Sequence, residues 1–225
     1  MRTKHLGKLS LVLMALWLQG FLIFPVFAQD KPAPTADQAL ELLKKGNEKF
    51  VSDNSESKNV SSERRRELAQ GQHPFAIVLT CADSRVTPEY IFNQGLGDIF
   101  VLRVAGNIAD AFEIGSMEFA VEQLRVPLIV VLGHSKCGAV DAALAENKPH
   151  GNLGKLIEQV YPGNDLPQQK DAALQVAIQN NVRHQAELLT KNSDVIKEFV
   201  EHKRVRVVPG VYDLATGKVD WLNEK

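Results

Sequence analysis

The composition of this chain is that of a globular protein with a sizeable hydrophobic core. Of its 225 residues 44% are hydrophobic, and 26 basic residues nearly balance 27 acidic ones. This balance argues against nucleic acid as a partner, because binding to phosphates requires a basic face. The single basic run, Arg64-Arg65-Arg66, is flanked by glutamates and fits a solvated helix face.

Residues 1–28 have the pattern of a secretory signal peptide. A basic start precedes a mostly apolar segment, and Val26-Phe27-Ala28 places small residues at the −3 and −1 positions of a cleavage site. An uncleaved membrane anchor is the alternative, but polar and helix-breaking residues interrupt the apolar segment. We therefore expect cleavage before Gln29, export to the periplasm or secretion, and no stable membrane insertion afterwards.

The expected mature chain, residues 29–225, begins with a helical arm over residues 29–72. Removing the signal peptide takes away three of the 26 basic residues and leaves a formal charge of −4. Thr35 and Gln38 have the spacing of a capping box, which predicts a helix over residues 36–52. The apolar stripe of this helix must pack either on the same domain or on a partner subunit.

The rest of the chain alternates short apolar runs with amphipathic stretches, which predicts one α/β domain. Strands are expected at residues 75–80, 98–104, 127–132 and 205–208. Helices are expected at residues 62–69, 88–92, 113–125, 137–145 and 171–203. Residues 211–221 read as a terminal hairpin. The predicted fold is a mainly parallel central β-sheet flanked by helices, with an N-terminal helical arm and a C-terminal hairpin.

Two groups of polar residues follow two of the predicted strands. Cys81, Asp83 and Arg85 follow the first strand, and His134 and Cys137 follow the third. Because parallel strands end at the same edge of a sheet, the two groups meet if these strands are neighbours. Two thiolates and an imidazole are what a catalytic zinc requires when its fourth position stays open.

A disulfide is the main alternative for the two cysteines. Cys81 and Cys137 are the only cysteines of the chain, and an exported protein meets oxidising conditions. However, a disulfide would not need Asp83 or His134 close by. His134 alone could be a core histidine, yet its position three residues before Cys137 favours ligation. We therefore expect one zinc ion per chain, held by Cys81, His134 and Cys137.

At this point the sequence resembles a known family, the β-class carbonic anhydrases. The similarity is carried by four segments, Cys81–Arg85, Arg103–Asn107, Gly133–Val140 and Tyr212–Gly217. The resemblance implies reversible hydration of carbon dioxide to bicarbonate and a proton by attack of zinc-bound hydroxide. It also implies a homodimer or a dimer of dimers, with N-terminal helices that embrace the neighbouring subunit.

The resemblance assigns catalytic roles to Asp83 and Arg85. Paired with Arg85, the Asp83 carboxylate can accept a hydrogen bond from the reacting water and orient it towards carbon dioxide. Released from Arg85, the same carboxylate could occupy the fourth position of the zinc and close the site. The sequence leaves both states open, and a purely structural salt bridge is the third alternative.

Some further positions match substrate-binding or pocket-wall residues of that family. They are Gln72, Phe100, Ala105 and Gly106. Loop polarity for Gln72 and core packing for Phe100 and Ala105 are alternative explanations. Val78 and Thr80 stand where the bicarbonate-regulated branch has tryptophan and glycine, so the chain resembles the plant-like branch.

Two other functions remain compatible with these motifs. One keeps the zinc site and hydrolyses a sulfur analogue such as carbonyl sulfide or carbon disulfide. The other is a non-catalytic zinc or bicarbonate-binding module. Retention of Asp83 and Arg85 argues against such a module, because a structural zinc is closed by a protein ligand.

Overall fold

A five-stranded β-sheet forms the centre of the protein in a computed structural model that describes residues 33–56, 58 and 60–222. The strands are β1 (Ala76–Thr80), β2 (Ile99–Arg103), β3 (Leu128–His134), β4 (Arg206–Tyr212) and β5 (Val219–Trp221). They lie in the order β2-β1-β3-β4-β5, with β5 antiparallel to β4 and all other pairs parallel. The predicted fold is thereby confirmed, whereas the predicted signal peptide lies outside the described residues.

Helices cover both faces of this sheet. They are α1 (Ala36–Val51), α2 (Ser62–Leu68), α3 (Pro88–Ile91), α4 (Ala111–Glu122), α5 (Gly138–Leu144), α6 (Gly151–Ile157), α7 (Lys170–Lys191) and α8 (Asp194–Glu201). One core joins the sheet to α1 and α3, and a second joins it to α4, α7 and α8. Every residue of β1 and β3 is buried, because each face of the sheet is covered. This explains why both strands read as uninterrupted apolar runs.

The fourth strand is longer than the sequence predicts. We expected a strand over residues 205–208 and a separate hairpin, but β4 continues through Pro209 and Gly210 and then pairs with β5. Arg206 donates its N–H to the carbonyl of Pro127, on the β3 side of the strand. Backbone N–H groups alternate between the two sides of a strand, so position 209, three residues further on, faces the opposite side. The N–H that Pro209 lacks would therefore face away from β3, towards the residue that follows β5. There only the carbonyl of Pro209 is bonded, accepting from the N–H of Leu222 (2.9 Å).

The long helix predicted over residues 171–203 is two helices, α7 and α8. Ser193 separates them, because its hydroxyl accepts a hydrogen bond from the N–H of Ile196 (3.0 Å) and donates one to Glu118 (2.6 Å). The first bond caps α8, and the second ties the break to α4. Helix α6 was not predicted from the sequence.

The N-terminal arm packs against the body of its own chain along one side of α1. The predicted capping box is confirmed, since Thr35 and Gln38 exchange two backbone-to-side-chain hydrogen bonds. Leu40 and Leu43 are buried in the core shared with α3. Helix α2 begins at Ser62, as predicted, and is capped by Ser61, whose hydroxyl accepts a hydrogen bond from the N–H of Arg64.

We expect Gly46→Ala to destabilise this packing. A methyl group at Gly46, inside α1, would overlap the carbonyl oxygen of Phe92, and a backbone atom cannot move aside as a side chain can. Overpacking of this kind typically costs ~1–3 kcal/mol. Gly115, inside α4, is the matched control because a methyl group there meets nothing within 4 Å. Urea unfolding should show Gly46→Ala destabilised and Gly115→Ala stabilised by ~0.4–1 kcal/mol; equal effects would contradict this packing.

Candidate metal centre

The two polar groups predicted from the sequence meet at the carboxyl end of β1 and β3. These strands are direct neighbours, with Thr80 in register with Leu132. Cys81 therefore leaves β1 beside the last residues of β3, where His134 is the final strand residue. The sequence prediction required the first and third strands to be neighbours, and the strand order satisfies this condition.

A tight turn then brings Cys137 back towards His134. Lys136 adopts the left-handed conformation with a φ of 57°, which reverses the chain within two residues. Ser135 anchors the turn to the end of β4, since its N–H donates to the carbonyl of Tyr212 (2.8 Å) and its hydroxyl accepts from the N–H of Leu214 (2.9 Å). Sheet and turn together fix the spacing of the two ligands.

Cys81, His134 and Cys137 form the only such metal-binding group among the described residues. All three are buried, and their ligand atoms lie within 4.8 Å of one another. Both cysteines are free thiols with their sulfurs 4.0 Å apart, so the structure favours the metal interpretation over the disulfide. Tetrahedral zinc with bonds of ~2.3 Å would separate two thiolates by roughly 3.8 Å.

The two thiols cannot ionise independently at this separation. The hydrogen bond from Cys137 lowers the pKa of Cys81 well below that of a free thiol. The same contact, followed by burial, raises the pKa of Cys137. A dication between the sulfurs would remove this conflict, because it stabilises both as thiolates.

The ring of His134 is oriented for metal binding. Its Nδ1 lies 2.9 Å from the carbonyl oxygen of Ser135, so Nδ1 carries the proton and donates it there. Its Nε2 is left as a lone-pair donor, fully buried and without a hydrogen-bond partner. Metal-binding histidines characteristically show this division of roles between the two nitrogens. A zinc ion would satisfy the unpaired nitrogen, so the residues present fit the predicted metal.

Asp83 and Arg85 form a two-point ion pair at the edge of the centre. The guanidinium donates from Nε to Asp83 Oδ1 (2.9 Å) and from Nη2 to Oδ2 (2.7 Å). These hydrogen bonds hold the pKa of Asp83 well below its usual range. Oδ2 also lies 3.9 Å from Nε2 of His134. The structure thus holds an ionised carboxylate beside the metal ligands and paired with Arg85.

Arg103 supports the loop that carries Cys81 and Asp83. From the end of β2, its Nε donates to the carbonyl of Cys81 (3.3 Å) and its Nη2 to the carbonyl of Asp83 (2.6 Å). Arg103 lies in one of the four segments that carry the family resemblance, but no role was predicted for it. An arginine at the carboxyl end of a strand next to the site was the available signal, although an exposed side chain at this position could equally have faced solvent.

The predicted substrate-binding residues divide into two groups within one chain. Ala105 and Gly106 lie in a turn beside the centre, and the Gly106 N–H donates to the sulfur of Cys81 (3.3 Å). Phe100 is in the middle of β2 and packs against the second core. Gln72 is exposed and precedes β1, so a strand of about 13 Å separates it from Cys81. Its role at the site stays a prediction.

Two buried amides on α7, which were not predicted from the sequence, contact this region. Asn181 donates to the carbonyl of Gly106 (2.9 Å), and Gln185 accepts from the N–H of Ala109 (2.8 Å). Both side chains are completely buried. Polar residues on an otherwise apolar helix face are the signal that could have identified them, although not their partners.

Comparison with known proteins agrees with this geometry. The model of the carbonic anhydrase family matches residues 76–219. Carbonic anhydrase 2 of Mycobacterium tuberculosis is 41% identical over 186 residues, which cover 80% of this chain and 89% of that protein. The carbonic anhydrase of Mycolicibacterium smegmatis is 39% identical over 189 residues, covering 81% and 91%.

Solved structures give the same result. The β-carbonic anhydrase CafA of Aspergillus fumigatus superposes with a TM-score of 0.64 at 29% identity, covering 83% of this chain and 90% of that one. The Coccomyxa β-carbonic anhydrase, solved in complex with acetazolamide, has a TM-score of 0.64 at 27% identity, covering 81% and 84%. With the fold, the ligand group and the family match in agreement, this chain belongs to the β-class carbonic anhydrases.

Proposed function

We propose that this protein catalyses the reversible hydration of carbon dioxide to bicarbonate and a proton. The observation that carries the proposal is the buried group of Cys81, His134 and Cys137, with an unpaired imidazole nitrogen facing an ionised Asp83. A structural metal site would not need this carboxylate, which Arg85 holds in place with two hydrogen bonds. The family match supports the same activity.

Each residue of the centre has a task in this reaction. Cys81, His134 and Cys137 would hold the zinc, and the ion would supply a Lewis acid able to activate water for attack on carbon dioxide. Asp83 accepts a hydrogen bond from the reacting water and thereby points a lone pair of that water at the substrate carbon. Arg85 keeps the carboxylate ionised and in one orientation.

Stopped-flow hydration assays on the zinc-loaded protein test the proposal. We expect rapid hydration of carbon dioxide and little turnover of carbonyl sulfide, which is measured in parallel. Preferred turnover of carbonyl sulfide would assign the sulfur-analogue function instead. Stoichiometric zinc without turnover of either substrate would identify a non-catalytic binding module.

We further propose that the mature protein is exported, to the periplasm if the source is a Gram-negative bacterium. The basic start, the apolar segment and Val26-Phe27-Ala28 support this proposal. Among the described residues, no helix has the length and apolarity needed to cross a membrane. N-terminal sequencing of the native protein should find Gln29 first. An intact Met1 on soluble cytoplasmic protein would refute the proposal of export.

We also propose a homodimer or a dimer of dimers. The β-carbonic anhydrases of Sordaria macrospora are described as tetrameric, and one of them covers 71% of this chain at 26% identity with a TM-score of 0.63. Helix α4 also exposes Phe112 and Phe119, which lie two turns apart on one face with relative exposures of 86% and 48%. Sedimentation velocity of the zinc-loaded protein measures the assembly, and a monomer would contradict the proposal.

A further inference from the structure

The turn formed by residues 105–107 reaches the metal centre through one backbone group. The N–H of Gly106 donates a hydrogen bond of 3.3 Å to the sulfur of Cys81. Gly106 has a φ of 75°, and a methyl group there would crowd Val160 and Ala139. The turn is therefore shaped to bring a backbone donor, and no side chain, to the sulfur.

The other side of this turn is held by α7, 75 residues further along the chain. Asn181 donates from Nδ2 to the carbonyl of Gly106 (2.9 Å). Gln185, one helical turn later, accepts the N–H of Ala109 (2.8 Å) and donates to Asn181 Oδ1 (3.3 Å). Both amides are completely shielded from solvent, so water cannot replace these bonds.

We propose that Asn181, supported by Gln185, is a positioning residue that holds the Gly106 N–H on the Cys81 sulfur. In doing so it limits how strongly this thiolate donates charge to the zinc. The inference rests on the proposed function, since it concerns the same metal. Gly106 is anchored on both sides, its N–H on the sulfur and its carbonyl on Asn181, so neither of its peptide planes can rotate alone.

Losing Asn181 Nδ2 leaves the Gly106 carbonyl buried and unpaired. The turn must then shift to find another donor, and the N–H of Gly106 moves away from the sulfur. Hydrogen bonds to a metal-bound thiolate withdraw charge from it, as they do in iron–sulfur and copper sites. Without this bond, Cys81 becomes a stronger donor and the metal a weaker Lewis acid.

Asn181→Ser tests the inference, because serine is too short to reach the Gly106 carbonyl. Gln185→Met keeps the side-chain volume but removes the hydrogen bonds from Gln185 to Asn181 and from Ala109 to Gln185. This variant provides the test if Asn181→Ser does not fold. Asn47→Ser is the matched control. Asn181 also accepts a third hydrogen bond, from the N–H of Tyr161 (3.0 Å). Asn47 is likewise a buried amide with three hydrogen bonds, but its partners are Ile91, Gly217 and Val219, away from the centre.

The primary measurement is the thiolate-to-metal charge-transfer absorption of the cobalt-substituted proteins. We expect it to move to lower energy in Asn181→Ser, less so in Gln185→Met, and not in Asn47→Ser. Zinc affinity should fall about tenfold in Asn181→Ser, as is typical for partners that orient metal ligands. The pH–rate profile should also move towards alkaline pH.

A purely structural role gives a different result. Asn181→Ser would then lose stability as Asn47→Ser does, while its absorption, zinc affinity and pH–rate profile stay unchanged, and this outcome overturns the inference. Failure of the proposed function is recognised separately, because the unmodified, metal-loaded protein would then not hydrate carbon dioxide, whatever the absorption spectra of the variants show.

Discussion

Replacing Cys137 or His134 with alanine should remove most of the bound zinc and, with it, the hydration activity. Each variant leaves two ligands for a metal that needs at least three from the protein in a catalytic site. Changes to the residues that merely orient metal ligands already cost ~10–100-fold in affinity or activity, so the loss of a direct ligand should cost more. Elemental analysis of the purified variants measures the zinc content.

His184→Ala is the matched control for His134→Ala. His184 is a partly buried histidine on α7 whose ring packs at a tilt against that of Tyr161, with ring centroids 4.5 Å apart, and it is not a member of the ligand group. This variant should keep one zinc per chain and near-normal activity. One zinc per chain in Cys137→Ala would show that the ligand assignment is wrong.

Zinc removal should also destabilise the unmodified protein. Without the metal, the centre contains two buried thiols that compete for ionisation and an imidazole nitrogen without a partner. A ligand that binds only the folded state stabilises it by mass action. The melting temperature should therefore fall after chelation and recover when zinc is added back.

The metal centre was predictable from the sequence because its chemistry is local to strand ends. Cys81 and His134 each follow an apolar run, and the rule that parallel strands end at one edge brings them together. The strand order β2-β1-β3 then had only to place the two runs side by side, which it does. The identity of the ligands, the fold class and the zinc could therefore be predicted from the sequence.

The partners of the supporting residues were not predictable, because they depend on packing between distant elements. Asn181 contacts Gly106 only because α7 packs on the sheet beside the turn at residues 105–107, and no local sequence pattern predicts this packing. The break at Ser193 was missed although its cap on Ile196 is local, whereas its contact with Glu118 on α4 depends on packing. Gln72 is a different case, since its assignment came from resemblance, although a strand lies between it and Cys81.

Arg85→Ala should retain zinc but lose most of its activity at neutral pH. In the unmodified protein, two hydrogen bonds from Arg85 occupy both oxygens of Asp83. Removing the guanidinium frees Oδ2, which lies 3.9 Å from the metal-binding nitrogen of His134, whereas Oδ1 keeps the hydrogen bond from the backbone N–H of residue 85 (2.9 Å). A carboxylate beside a dication becomes a ligand and closes the position that the reacting water needs. Higher pH should restore activity only in part, because hydroxide competes for that position.

Asp83→Asn should behave differently, and the comparison of the two variants is decisive. A neutral amide is a poor zinc ligand, so the site stays open but loses the acceptor that orients the water. Losing a positioned proton acceptor typically costs ~10²–10⁴-fold in rate. In this variant no carboxylate competes with hydroxide for the metal. Alkaline pH should therefore not specifically restore the hydration activity that the variant has lost. Arg204→Ala, which removes an exposed ion pair with Glu198 (2.8 Å) far from the ligands, is the control and should match the unmodified enzyme.

The measurement is the pH–rate profile of all three variants over roughly pH 6.5 to 9, a span around the pKa of ~7 that zinc can impose on water. Zinc content is checked in each sample, so that a lost metal is not mistaken for a closed site. If Arg85→Ala followed the unmodified enzyme across this range, Arg85 would not control the orientation of Asp83. If it instead followed Asp83→Asn at every pH, the pair would orient the water, but the freed carboxylate would not reach the metal.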